Sequence, residues 1–334
     1  MIQSKPYKFR NFWKYLTIPP GYQKLLHVYG NRIEGHNLLT NEWDLCIILD
    51  ACRADLMNSV LQSDWSPPFS YSADSITSLD SATEPWTIKT FGSETAFETI
   101  PFLYVTANPY STKVNDSPAV AHLDEVWRYG WDPAIDTVPP RVVTNRAIHH
   151  YREWSGPVMV HYLQPHAPHL TQCNKRIVRR YERKIPPIKH GETNLEENWH
   201  TGRNSDGIVN RYLPGTWNLP PTVPQTMWDR LRWGDFDREM VWNSYHDTLL
   251  IVLHEVELLL RTVDAPTVVI TADHGEAFGE WGLFGHPHHM PFSELRQVPY
   301  LVTSAQKDIE YEPETYTTNE LQDRNEKLRS LGYL

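Results

Sequence analysis

Three short segments of this chain carry side chains of the metal-binding type. They are Asp50 in Asp50-Ala51-Cys52-Arg53-Ala54-Asp55, His166 in His166-Ala167-Pro168-His169, and Asp273-His274 in Asp273-His274-Gly275-Glu276. Carboxylate and imidazole are the usual hard-to-borderline donors for a divalent ion. Taken singly, each has an ordinary explanation: the Asp as a helix N-cap, the His as a structural or surface residue. What precedes each of them alters that reading. Each follows a short apolar run, and in an open parallel sheet ligands gather beyond the carboxyl ends of the strands. Three strands thus deliver Asp, His and Asp-His to one edge. His286, His288 and His289 follow soon after the last pair.

The elements that must position these groups are legible as runs. Leu45–Leu49, residues 102–105, Val158–Tyr162, residues 267–271 and residues 299–302 read as strands, the first being continuously apolar in the manner of a strand buried on both faces. Between the third and fourth, Trp242, Tyr245, Leu249, Val252, Val256 and Leu259 recur at spacings of three and four and predict one apolar face of a long helix. The alternation predicts an α/β layered fold with a mostly parallel central sheet. Residues from about 172 to 233 break the rhythm and read as an insertion or lid. The expected division is an N-terminal basic and aromatic arm, residues 1–42, and one catalytic domain, residues 43–334.

The motifs resemble those of sulfatase-like members of the alkaline phosphatase superfamily, in family order from about Trp43 to Leu334. Leu49-Asp50-Ala51-Cys52-Arg53-Ala54-Asp55 is similar to the family's opening metal motif. Thr271-Ala272-Asp273-His274-Gly275-Glu276, with Gly279-Glu280-Trp281-Gly282 and Gly285-His286, resembles its second, and Gln297-Val298-Pro299-Tyr300 resembles the start of the strand that follows. The ending Leu328-Arg329-Ser330-Leu331-Gly332-Tyr333-Leu334 is similar to a common ending in the family. The resemblance implies an alkaline-phosphatase-like layered fold with helices on both faces of the sheet. It also implies a nucleophile at a helix N-terminus, for which Thr83 in Thr83-Glu84-Pro85 is preferred over Ser81.

The implied metal set is Asp50, Thr83, Asp273 and His274. His166 and His286 then bind ester oxygens, serve as acid for the leaving group, or hold a second ion. Mn²⁺ or Zn²⁺ suits an O/O/O/N set; Ca²⁺ is disfavoured because Ala51 stands where a second Asp would add oxygen ligands. A formylglycine sulfatase carries Cys-x-Pro-x-Arg, and none of Cys46, Cys52 and Cys173 stands in such a motif. The expected function is therefore a metal-dependent hydrolase or transferase acting on phosphate esters, less favourably sulfate esters. The alternative from another class is a catalytically silent sulfatase-like protein that binds a metal or a partner.

The composition bounds the partners. With 31 Lys+Arg against 41 Asp+Glu, a formal charge of −10 argues against nucleic acid. The charge is uneven, however: residues 1–33 hold Lys5, Lys8, Arg10, Lys14, Lys24 and Arg32 and no acid, beside Tyr7, Phe9, Phe12, Trp13 and Tyr15. A peripheral membrane contact through this arm is one expectation; an arm lying on the domain is the other. Residues 175–184, rich in Lys and Arg, read as a solvated basic helix or as a contact for a membrane-borne or polyanionic ester. Three cysteines and the lack of a secretory signal or membrane-spanning run predict a cytoplasmic chain, peripheral at the membrane if the arm docks.

Overall fold

The computed structural model describes residues 20–114, 116–170, 227–234 and 236–316, with Asn325, Lys327, Leu328 and Leu331. The lid at residues 172–226, the basic residues 175–184, Cys173, residues 1–19 of the arm and most of the C-terminal ending lie outside the described residues.

Seven strands form one sheet: β1 (Leu45–Leu49), β2 (Ser72–Thr77), β3 (Phe102–Thr106), β4 (Val120–Glu125), β5 (Val158–Tyr162), β6 (Ala265–Thr271) and β9 (Gln297–Ala305), with β7 (Ala277–Phe278) and β8 (Phe284–Gly285) as a separate hairpin. The order is β2-β9-β6-β1-β5-β3-β4. β1 pairs in parallel with β5 and β6, β5 with β3, and β3 with β4; only β9 runs the other way, antiparallel to β6 and β2.

Alternation along the strands divides the core into two layers. Leu45, Ile47 and Leu49 face one layer with Leu103, Val105, Val160 and Ile270. Cys46 and Ile48 face the other with Tyr104, Met159 and Val269. The first layer is covered by α2 (Ala54–Ser63), α4 (Pro140–Glu153) and α6 (Arg238–Leu260), the second by α3 (Thr83–Phe91), whose Trp86 and Phe91 pack there. The helices on both faces and the mostly parallel sheet agree with the sequence reading. In α6, Tyr245, Leu249, Val252, Val256 and Leu259 are buried as their spacing requires, and Trp242 is half-buried.

Two strands escape the sequence reading, β2 and β4. Both lie at sheet edges, β2 with no buried position and β4 with one, so neither presents an apolar run. Leu38 and Leu39 join the second core layer beside Trp43. Pro20–Gly30 forms α1, and Met227–Trp233, at the end of the insertion range, forms the short α5. No helix among the described residues is long and apolar enough to cross a membrane.

An acidic clamp ties α4 to the edge strand. Asp124 on β4 accepts from Tyr129 Oη at 2.7 Å and Arg146 Nε at 2.8 Å and shares a hydrogen bond with His150 Nε2 at 2.7 Å. Burial works to raise its pKa, but His150, Tyr129 and Arg146 outweigh it and hold Asp124 down at about 2. A depressed carboxylate contributes stability above its unfolded pKa and loses it as pH falls. About 2 kcal/mol should therefore disappear between pH 4 and pH 2. Urea unfolding at pH 5 and pH 2.5 checks this: Asp124→Asn should flatten the dependence, and an unchanged slope would count against the clamp.

Candidate metal centre

The candidate residues meet where the strands end. Asp50 follows β1, Asp273 and His274 follow β6, His166 follows β5, and Thr83 opens α3 after β2. Asp50, Thr83, Asp273 and His274 are fully buried. Thr83 Oγ1 donates to Asp273 Oδ2 at 2.8 Å and lies 3.0 Å from His274 Nε2. His274 Nε2 in turn lies 3.4 Å from Asp273 Oδ2 and 3.6 Å from Asp50 Oδ1. One donor atom from each of Asp50, Asp273 and His274 falls within 4.8 Å of the others.

The backbone holds this arrangement under local strain. Ala51 has φ of 60°, a left-handed conformation costly for a residue with a Cβ. Its amide donates to Asp273 Oδ1 at 3.0 Å, and Tyr245 Oη on α6 donates to its carbonyl. Tyr245 Oη also accepts from the Arg53 amide at 3.0 Å, so the turn after β1 is tied both to α6 and to the acid after β6. Gly275 is required for close approach: a Cβ there would sit 2.1 Å from the Glu294 carbonyl oxygen.

Imidazole orientation follows from the outward-facing ring nitrogens. His274 Nδ1 donates to the Gly275 carbonyl at 2.7 Å, His166 Nδ1 to the Ala167 carbonyl, and His286 Nδ1 to Glu276 Oε1 at 3.0 Å. These bonds direct the Nε2 lone pair of each ring the other way, the tautomer a metal ligand needs. The His286 ring centroid lies 4.6 Å from that of His274 and 4.8 Å from that of His166. His166, Glu276 and His286 form a second group with donor atoms within 4.8 Å.

The electrostatics are those of a buried acidic pair facing neutral imidazoles. Burial lowers His274, takes His166 down to about 3 and His286 to about 4. Burial would raise Asp273, yet His274, His161 and the hydrogen bonds from Thr83 and the Ala51 amide hold it below the ordinary carboxylate range. Two buried carboxylates and an imidazole lone pair, within ligand reach of one another, fit a divalent cation.

The structure separates the two hydroxyls of the nucleophile segment. Ser81 Oγ donates to the Pro287 carbonyl at 2.6 Å and accepts from the Met290 amide at 2.8 Å, so it pins the loop after His286. Thr83 points to the acids instead. Helix α3 is capped by Ala82, with no side-chain hydrogen bond, so the Thr83 hydroxyl is not consumed as a cap. Arg53 chelates Asp55 through 2.6 and 2.8 Å bonds and reaches Glu280 at 3.0 Å. It also donates to the Glu276 carbonyl oxygen, not to that residue's carboxylate. His169 is buried against Tyr245 and belongs to neither group of candidate metal ligands.

Sequence reasoning missed three supporting residues. Asn108 donates to Asp50 Oδ2 at 2.7 Å; it follows β3 by two residues, a position after a strand that could have exposed it. Asp80 accepts from the amides of Ser81 and His289, from His289 Nδ1 and from Lys89, contacts that outweigh burial and hold it down at about 2. Glu276, inside the Asp273-His274 motif, could be expected to pair with Arg53; its carboxylate instead meets His286.

Burial raises Glu276 to about 7. A raised carboxylate favours the fold while protonated and costs stability as pH climbs from 4.5 to 7. The metal-free protein should therefore lose about 3 kcal/mol across that window. Urea unfolding in chelator at pH 5 and pH 8 measures the loss. Glu276→Gln should remove it, and equal slopes in both proteins would refute it.

No protein-family model matches the chain, and no curated protein matches it. Among solved structures, the chain is similar to the C-terminal periplasmic domain of phosphoethanolamine transferase EptC from Campylobacter jejuni, at 15% identity over 78% of each chain and a TM-score of 0.46. It is similar to a putative sulfatase from Bacteroides thetaiotaomicron, at 11% identity over 78% of this chain and 63% of that one, TM-score 0.42. It is also similar to a zinc complex of the C-terminal periplasmic domain of EptC from Escherichia coli, at 12% identity over 82% and 76%, TM-score 0.38.

Proposed function

We propose that the chain is a metal-dependent hydrolase or transferase acting on phosphate esters, with sulfate esters as poorer substrates, through Thr83 as nucleophile. The observation that carries this reading is the position of Thr83 Oγ1, within hydrogen-bond reach of both Asp273 and His274 at the start of a nine-residue helix. A divalent ion held by Asp50, Asp273, His274 and Thr83, with Mn²⁺ or Zn²⁺ favoured, would lower the hydroxyl pKa and neutralise ester oxygens.

The protein's own groups account for the remaining steps. Thr83 releases its proton along its hydrogen bond to Asp273 Oδ2. Its oxygen forms the new bond to phosphorus in line with the ester oxygen, whose bond breaks as an alcohol leaves with a proton. The helix α3 N-terminus favours both the alkoxide and the bound anion. Water or an acceptor alcohol then attacks the phosphothreonine and restores Thr83. His166 and His286 are neutral at rest, with Nε2 facing inward. They serve the ester oxygens or the leaving group after taking up a proton, or serve a second ion with Glu276. Metal content separates these uses: two ions per chain assign a cation, one assigns the ester. The Cys46 and Cys52 thiols are buried and pushed up by burial, consistent with a hydroxyl nucleophile.

The test is turnover of aryl phosphate monoesters, aryl phosphate diesters and aryl sulfate with added Mn²⁺, Zn²⁺ or Ca²⁺. Phosphate ester cleavage that depends on Mn²⁺ or Zn²⁺ is expected. Failure on every ester would favour the silent alternative.

A further inference from the structure

Helix α1 is held on one side and bare on the other. Its inner side is fixed at three points. Leu26 packs with Phe292 onto a small cluster around Leu283, Met290 and Leu295; Arg296 donates to the carbonyl oxygens of Gly30 and Ile33, both at 3.2 Å; and the His27 ring lies 5.8 Å from that of His289. Gly30 permits the contact, since a Cβ there would stand 1.9 Å from the His289 carbonyl oxygen. The opposite arc exposes Tyr22, Leu25 and Tyr29, each at 61%, and Val28 at 46%.

Trp281 is linked to α1 through the same small cluster. Its indole, 64% exposed, stacks at 5.4 Å on Phe292, which packs, as Leu26 does, against that cluster. Its φ of 55° is a left-handed conformation that a Trp adopts only at a cost. From residue 20 to residue 33 the charges are of one sign: Lys24 and Arg32 are exposed, and the first acid in the chain is Glu34, also exposed, although the chain as a whole carries −10.

We propose that the exposed arc of α1, with Trp281, docks in the plane of an anionic lipid surface. Tyrosine and tryptophan suit the headgroup level, Leu25 and Val28 the acyl boundary, and Lys24 and Arg32 the phosphates. The charge match selects lipid: a neutral apolar partner leaves the segment's basic charge unanswered, and a second copy would face it with the same sign. Through Phe292, Met290 and His289 the docked surface adjoins the loop that begins at His286.

The experiment is cosedimentation of the full chain with vesicles of phosphatidylglycerol and phosphatidylcholine, against phosphatidylcholine alone. Binding should be at least about tenfold stronger on the anionic vesicles at low salt and weaken as salt rises. The double variants L25E/V28E and K24E/R32E should each lose about tenfold or more. Turnover of a soluble aryl phosphate should not change in either, because these side chains lie on the surface outside the site. That readout keeps the proposal separate from the catalytic one. Equal binding to both vesicles, no binding, or full binding by L25E/V28E would overturn it. So would a fall in solution mass in L25E/V28E with vesicle binding intact, which would assign the face to self-association.

Discussion

Thr83→Ala is expected to lower kcat/KM for the best aryl phosphate by at least about 10⁴-fold, the scale set by removing a nucleophile whose attack forms the covalent intermediate. Thr83→Ser should keep measurable turnover, because it retains an oxygen at the start of α3. The side chain is buried and its hydroxyl bonds to Asp273, so its removal should cost no more than about 1–3 kcal/mol of stability. Unfolding of both variants must be compared with wild type before rates are interpreted. Brief reaction followed by acid quench should leave a phosphoryl group on the peptide containing Thr83 in the wild type and none in the alanine variant. Turnover by Thr83→Ala near the wild-type rate would eliminate this mechanism, and Ser81 would not replace it, since its hydroxyl is committed to Pro287 and Met290.

Chelation is expected to remove turnover and, in the same sample, to lower the unfolding temperature. Asp50 and Asp273 are fully buried acids within ligand reach of His274, an arrangement only the folded chain offers to a cation. A bound ion present at a thousand times its Kd adds about 4 kcal/mol to the folded state. Asp273→Asn should abolish this gain. Its side-chain oxygen can still accept from the Ala51 amide, but the charge that His274, His161 and Thr83 stabilise is removed. In chelator the variant should therefore unfold no higher than wild type, and with Mn²⁺ or Zn²⁺ it should gain little. Its turnover should fall by at least about 10³-fold. Wild type whose unfolding ignores both chelator and added ions would end the metal reading.

How much of this was legible before the structure depends on where each residue sits in the sheet. β1, β3, β5 and β6 are buried on both faces, so their residues form unbroken apolar runs that sequence reading finds easily. β2 and β4 at the edges are half solvated and mix Ser, Asp and His with few apolar residues, and they were passed over. The acids and imidazoles at strand ends were legible because strand direction places them on one edge. Asn108 does not stand out, because an Asn-Pro pair after a strand is an ordinary turn. Glu276 acts through His286, ten positions on, and Asp80 through partners both near and far. Asp80 meets the amide of His289, 209 positions away, and nothing local to either residue announces the pairing.

The turn at Ala51 bears on how the protein can be made. Its amide meets a carboxylate 222 positions further on, and β1 sits between β5 and β6. A ribosome therefore releases half of the acidic pair long before the other half exists, and the β6 side of β1 stays unpaired until residue 271 has emerged. Such long-range closure is slow and leaves apolar strands unprotected in the interval. The nascent chain thus has the most to gain from a holding partner during synthesis of residues 50–271, and a metal ion can take no part in folding until that interval is over.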